Sequence, residues 1–147
     1  MKKISLLLFL FTIGTVQAQE WVYSLTEAQA IAAKENKHVL LVFSGSDWCA
    51  PCRKLEKNIW TSSEFQNLSK NSLVLLQADF PRRRKNKLSK EQQAKNNALA
   101  ATYNTKGHFP LVVVLNKNGR AIGSLGYENI SPKDYYKKIE KLIHATL

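Results

Sequence analysis

The stretch Ser44-Gly45-Ser46-Asp47-Trp48-Cys49-Ala50-Pro51-Cys52-Arg53 decides how this chain is read. It holds both cysteines of the sequence, in a Cys-x-x-Cys spacing. An apolar run precedes it and a helical pattern follows it. A strand that ends in a short turn and opens a helix puts Cys49 at the helix N-terminus. Unpaired backbone N–H groups and the positive end of the helix dipole favour an anion there. A thiolate is such an anion, and it is the reactive form of cysteine. The stretch therefore points to a dithiol/disulfide redox site.

The same cysteines have other readings. Structural zinc wants four ligands, and one Cys-x-x-Cys supplies two, with His108 a third at most. Arg53 stands where a c-type haem attachment motif has histidine. A cysteine pair with only a structural role remains the other alternative.

Working outward, 147 residues suit one domain, and 44% hydrophobic with 22% charged residues is ordinary for a globular protein. Two cysteines are too few to staple a small scaffold, so a packed core must hold the fold. The N-terminus reads as a targeting segment. Lys2 and Lys3 precede an apolar run over residues 4–13, and Val16-Gln17-Ala18 has the form of a cleavage site. Residues 1–18 are the expected signal peptide and residues 19–147 the mature domain. The apolar run is short of the roughly 20 residues that span a bilayer, and an uncleaved anchor is the alternative. Removing Lys2 and Lys3 lowers the net charge of +11 to +9, with 20 basic against 11 acidic residues.

Residues 19–24 form an extended lead-in. Thr26-Glu27-Ala28-Gln29 has the form of a capping box and predicts a helix over 26–36. The continuous apolar run His38–Ser44 predicts a strand buried on both faces. After the cysteines, Leu55, Ile59 and Trp60 recur at helical spacing, and Pro51 sits in the first turn, where its missing N–H costs nothing. A short helix over 61–70, capped by Thr61 or Ser62, and a strand over 72–80 follow. Residues 81–90 carry Arg82, Arg83, Arg84, Lys85, Lys87 and Lys90. Ser89-Lys90-Glu91-Gln92 opens a helix to Tyr103, with Ala94, Ala98, Leu99, Ala101 and Thr102 expected toward the core. Residues 111–115 and 120–125 read as a hairpin about Asn116-Lys117-Asn118-Gly119. Ser131-Pro132-Lys133-Asp134 starts a last helix with Tyr135, Ile139, Leu142 and Ile143 on its buried stripe. The two strand connections that contain helices predict right-handed parallel crossovers, and the last pair is antiparallel. The fold class is α/β, with helices on both faces of a mixed sheet.

Trp48-Cys49-Ala50-Pro51-Cys52 resembles the Trp-Cys-x-Pro-Cys centre of thioredoxin-like proteins. Phe109-Pro110 resembles the cis-proline loop of that fold, and residues 111–126 resemble its terminal hairpin and the glycine after it. The likeness runs from Trp21 to the end of the chain. It is nearest to exported members whose redox helix continues as Lys54-Leu55-Glu56 and a serine-rich segment, similar to the soluble domain of the periplasmic disulfide reductase that moves electrons across the inner membrane. The resemblance implies a three-layer fold and a thiol-disulfide oxidoreductase. In it Cys49, nearer solvent, attacks and Cys52 resolves the mixed disulfide, with no cofactor and no metal. It implies a substrate-binding surface of Trp48, Pro51, Phe109 and Pro110. The implied partners are protein thiols and disulfides and a membrane electron donor.

The sequence departs from the family at one place. The buried acid six residues before the first cysteine is Phe43 here, and its lysine partner on the next strand corresponds to Leu75. Asp47 and Glu56 are the expected substitutes near the second cysteine, with water as a further alternative. Ala50-Pro51 is close to the Gly-Pro of reducing members, so a reductant is favoured over an oxidant or isomerase. A peptide-binding module with a structural cysteine pair is the contrasting hypothesis. The basic run is either a solvated loop or a docking surface for an acidic partner. Nucleic acid does not fit, because no aromatic residues interleave with the charges.

Overall fold

A computed structural model describes residues 20–145. The signal peptide expected over residues 1–18 lies outside them. The described elements are β1 (Trp21–Val22), α1 (Leu25–Glu35), β2 (His38–Ser44), α2 (Ala50–Leu55), α3 (Ser63–Ser69), β3 (Leu73–Asp79), α4 (Lys90–Tyr103), β4 (Leu111–Leu115), β5 (Ala121–Leu125) and α5 (Pro132–His144). Helix α2 runs on directly into a π-helical turn, Glu56–Trp60, and a short 3-10 turn, Arg84–Asn86, lies in the basic segment.

The sheet order is β1-β3-β2-β4-β5. β1 and β2 pair with β3 in parallel, whereas β4 is antiparallel to β2 and to β5. Strand β2 is therefore hydrogen-bonded on both edges. Its side chains alternate between two cores. Leu40 and Val42 face the layer of α2, α3 and α5, where Leu55, Phe65, Tyr135 and Ile139 pack. Val39, Leu41 and Phe43 face the layer of α1 and α4, with Ala28, Ala32 and Leu99. Full burial on both faces is what the unbroken apolar run His38–Ser44 demands.

Four details differ from the sequence reading. The lead-in is a true edge strand, since Trp21 and Val22 pair with Leu75 and Leu76. That pairing fixes where the chain turns, so α1 begins at Leu25 behind Ser24 and places Thr26 inside the first turn rather than at the cap. Asn36 does end the helix, in the left-handed conformation (φ 53°). The alanines of α4 at 94, 98 and 101 and Thr102 are exposed, and Asn96 and Leu99 are the buried residues. The Asn96 amide donates to the Asp79 carbonyl (2.8 Å) and accepts from Gln92 (2.8 Å), so a polar residue makes the helix-to-sheet contact.

The fourth difference is the α4 crossover, which does not return a parallel strand. Fourteen residues of α4 descend about 21 Å. The Tyr103 hydroxyl reaches the Gly119 carbonyl (2.7 Å) in the β4–β5 turn, at the far end of the sheet. Residues 104–110 then climb back, and Leu111 starts β4 opposite Phe43 at the cysteine end. The return brings Phe109 and Pro110 to the cysteines.

Trp60 is the hub of the α2-side core. It is 3% exposed and meets Trp21, Phe65 and Tyr135 edge to face, with centroids 6.2, 4.9 and 5.4 Å away. Trp60→Ala is expected to lower the unfolding free energy by about 3–5 kcal/mol. Urea denaturation checks this, and a loss under about 1 kcal/mol would show that the cluster closes up without the indole.

Candidate redox site

Cys49 and Cys52 are joined by a disulfide. The turn that leads to them is built on Gly45, whose carbonyl accepts from the N–H groups of Trp48 (3.1 Å) and Cys49 (2.8 Å). A Cβ at Gly45 would lie 2.3 Å from the Trp48 ring, so only glycine lets the indole fold over the turn. Cys49 is the N-cap of α2, with an extended backbone, and its Sγ accepts from the Cys52 N–H (3.2 Å). Pro51 stands exposed in the first turn. Both cysteines are 4% exposed, so the expectation that Cys49 lies nearer solvent is not met in the disulfide form. What separates them is the cap position: Cys49 Sγ takes a backbone N–H.

The Phe109–Pro110 peptide is cis. Pro110 and Cys52 line one small cavity of about 10 Å³ together with Val42, Ser44, Glu56 and Gln77. That volume is at the lower limit for a single water molecule. The loop carrying Pro110 is held by a reciprocal pair, in which the Asn104 amide donates to the His108 carbonyl and the His108 N–H donates back, both at 2.8 Å.

The pair of residues matched to the family's buried acid and lysine needs correcting. Phe43 lies in the α1-side core and Leu75 in the α2-side core, on opposite faces of the sheet. Phe43 pairs in register with Ala78. The side chains beside Cys52 are Val42 and its register partner Gln77. A count along the chain is off by one here, and one residue reverses the face of a strand. Val42 is no acid either, so the site still lacks the family's carboxylate.

The two expected substitutes part company. Glu56 borders the Cys52 cavity, and partial burial pushes its carboxyl pKa up from the ordinary range. Asp47 is committed to the basic segment. Its carboxylate accepts from the backbone N–H groups of Arg82 and Arg83 and from the Asn86 amide, each at 2.9 Å. Those bonds, the one from Arg82 first, hold its pKa at about 2, which makes it a poor proton acceptor. Next to it, the Trp48 indole N–H donates to the Phe80 carbonyl (2.7 Å), Phe109 meets the ring edge to face at 5.3 Å, and the Arg82 guanidinium lies over it at 3.8 Å.

The profile of the thioredoxin-like family matches residues 20–117, which include the strand, both cysteines and the cis-proline loop. The chain belongs to the thioredoxin-like family. It is similar to the disulfide bond reductase DsbH of Chlamydia pneumoniae, 33% identical over 120 residues, 82% of this chain and 70% of that one. The thioredoxin-related protein DsbJ of the same organism is 27% identical over 139 residues, and the match spans 39% of its length. A solved DsbH oxidoreductase superposes with a TM-score of 0.79 at 30% identity, covering 87% of this chain and 86% of that one. With this family and its bonded Cys49–Cys52 pair, the chain is a thioredoxin-like thiol-disulfide oxidoreductase. Among the described residues, no three His, Cys, Asp or Glu side chains gather to hold a metal, and no helix is long and apolar enough to cross a membrane.

Sequence reasoning missed three residues of the site. Gln77 carried a signal, as a polar side chain that interrupts the apolar run of β3. Arg82 stood out only as one charge of the basic run and Asn104 carried no signal, because their roles at the site depend on where residues 81–90 and 104–110 fold back.

Asp47 supplies the next prediction. Its native pKa lies below the unfolded value of about 3.9. Its hold on residues 82–86 is therefore complete above that value and is lost as pH falls through about 2. The Trp48 indole N–H signal in NMR should stay constant from pH 7 to 4 and shift toward pH 2. In Asp47→Ala the Arg82 and Arg83 amides should exchange faster at pH 7 while those of β2 keep their protection. Unchanged exchange at both amides would show that the loop is held by something else.

Proposed function

We propose that this protein is an exported reductant of protein disulfides, recharged by a membrane electron-donor protein. The observation that carries the reading is the Cys49–Cys52 pair, with Cys49 Sγ on the Cys52 N–H. It sits in a chain 33% identical to a protein named a disulfide bond reductase. Ala50-Pro51 between the cysteines supports the reducing direction. So does the plain crossover of one 14-residue helix, α4, between β3 and β4, which leaves no inserted helical domain. The Lys2-Lys3 start, the apolar residues 4–13 and Val16-Gln17-Ala18 support export.

The chemistry runs from the reduced pair. The Cys49 thiolate attacks one sulfur of a substrate disulfide; the S–S bond breaks and the other substrate sulfur leaves as a thiolate. Cys52 then loses its proton and attacks Cys49 Sγ. The second substrate sulfur leaves, and the Cys49–Cys52 disulfide remains. Two electrons have passed to the substrate. The helix start favours the first thiolate: lowering a thiol pKa from about 8.5 to about 7 raises the thiolate at pH 7 from roughly 3% to half. Glu56 takes the Cys52 proton, through a water in the small cavity, with Gln77 and Ser44 as polar neighbours. Its raised pKa suits that task. Trp48, Pro51, Phe109 and Pro110 form the surface on which the substrate chain lies.

The reduction potential tests the reading. A reductant should lie near thioredoxin's value of about −270 mV. A potential near −120 mV would reverse the direction, and one below about −300 mV with no reductase activity would mark a structural staple.

Glu56→Gln should slow the resolving step by about tenfold, short of the 10²–10⁴ of a fully committed acid–base group, and flatten its pH profile. Stability responds in the opposite sense. The raised native pKa favours the neutral carboxyl, so wild type loses stability as pH rises through that pKa, and the glutamine variant does not. Stopped-flow decay of the mixed disulfide and denaturation across pH 4–8 check both.

A further inference from the structure

The segment from Pro81 to Lys90 is fixed in place although it is exposed and strongly basic. Two anchors hold it. The Asp47 carboxylate binds the Arg82 and Arg83 N–H groups and the Asn86 side chain, and the Arg82 guanidinium lies flat on Trp48. Both anchors are neighbours of Cys49 in sequence. Of the segment, Pro81 and Arg82 line an open groove of about 620 Å³ floored by Trp48, Phe80 and Phe109, with Gln93 and Gly107 on its rim, and Arg84, Lys85 and Lys87 follow them in the chain. The floor is aromatic and ends at the residue before the reactive cysteine.

The charge on this wall is unbalanced. Among the described residues the ion pairs are Lys37–Glu35, Lys95–Glu91, Lys137–Asp134 and Lys138–Glu128. None includes a cation from the segment. Asp47 is the acid at hand, and its carboxylate is engaged by the segment's own backbone and by Asn86. Arg84, Lys85 and Lys87 therefore stand exposed with no carboxylate partner. Holding several like charges together beside a site opposes folding unless an opposite charge is met there.

We infer that this pinned basic wall selects the substrate: the protein exchanges disulfides whose cysteine is flanked by acidic residues, with an apolar or aromatic side chain of the substrate on the Trp48–Phe109 floor. The inference rests on the proposed oxidoreductase function and names its substrate class. An extended peptide advances about 3.3 Å per residue, and the Asp47 carboxylate, two residues before Cys49, holds the backbone of Arg82 and Arg83, so the basic segment begins beside the place where a substrate disulfide meets Cys49. The attraction speeds encounter more than it changes the chemical step, and salt screens it.

The test uses the full chain and two synthetic cystine peptides, one with Asp and Glu on both flanks and one with Ser in their place. At about 10 mM ionic strength the acid-flanked peptide should have a kcat/KM about tenfold higher, with similar kcat. At about 0.5 M the advantage should fall below about twofold. Replacing Arg84, Lys85 and Lys87 together by Gln should bring the low-salt ratio below about threefold. Removing the same charge from α5 (Lys133→Gln, Lys137→Gln, Lys141→Gln) should leave the ratio as in wild type. Equal turnover of both peptides overturns the inference while the proposed function stands. Equal turnover with salt-sensitive capture on anionic phospholipid vesicles assigns the wall to a membrane surface instead. An equal loss of the ratio in the α5 variant shows that net charge, not the wall, discriminates, and also overturns it. No exchange with either peptide sinks the oxidoreductase function, and this inference with it.

Discussion

Strand β2 has no free edge and no wet face. β3 and β4 take its hydrogen bonds on either side, and apolar layers cover its side chains above and below. Everything reactive follows from where such a strand must stop. Past Ser44 the backbone has to leave the core and satisfy its N–H groups, and it does so through the turn on Gly45 and the first turn of α2. The cysteine that caps this helix receives a backbone N–H on its sulfur because of that exit. The ends of β3 and the start of β4 lie at the same edge, so Asp79, Phe80, Phe109 and Pro110 arrive there without needing any contact among themselves in sequence. The Asp79 carboxylate takes the Ser46 N–H (2.9 Å) and hydroxyl (2.6 Å), which ties the exit turn to the neighbouring strand.

What could be read from the chain was whatever a local pattern controls. The run from His38 to Ser44 matched its strand residue for residue, because five buried side chains in a row, Val39 to Phe43, allow little else. Ser62, Ser89 and Ser131 each cap a helix by accepting an N–H three residues on, as their sequence contexts imply. The cysteine pair, Pro51 and Phe109-Pro110 stood out by residue type and spacing. What misled was control from a distance. Ser24 replaced Thr26 at the start of α1 because a strand pairing to β3 sets the turn. The alanine-rich face of α4 looked apolar, yet the sheet edge below it offers a carbonyl, and Asn96 answers that better than Ala94 or Ala98. The direction of β4 depended on residues 104–110, a stretch with no periodicity to read.

The proton chemistry shows the same division. Counting six residues back from Cys49 finds Phe43, and the count correctly says that an acid is missing. It names the wrong side chain, because Val42 and Ser44 face Cys52 and Phe43 faces the other core. The site instead has Glu56 one helical turn beyond Cys52, at the edge of the small cavity, where burial raises its pKa. Asp47, the acid nearer to Cys49 in sequence, is drawn the opposite way by three hydrogen bonds. Two carboxyl groups within ten residues thus have opposed pKa shifts, one suited to accept a proton and the other to stay ionised as an anchor.

The central claim is that Cys49 and not Cys52 attacks, although the two are equally buried. Single-cysteine variants decide it. Cys52→Ala should form a mixed disulfide with a cystine peptide at pH 7 severalfold faster than Cys49→Ala does, because Cys49 caps the helix and its sulfur takes a backbone N–H. The adduct should map to Cys49 by mass spectrometry. Equal rates, or faster capture at Cys52, would contradict the account.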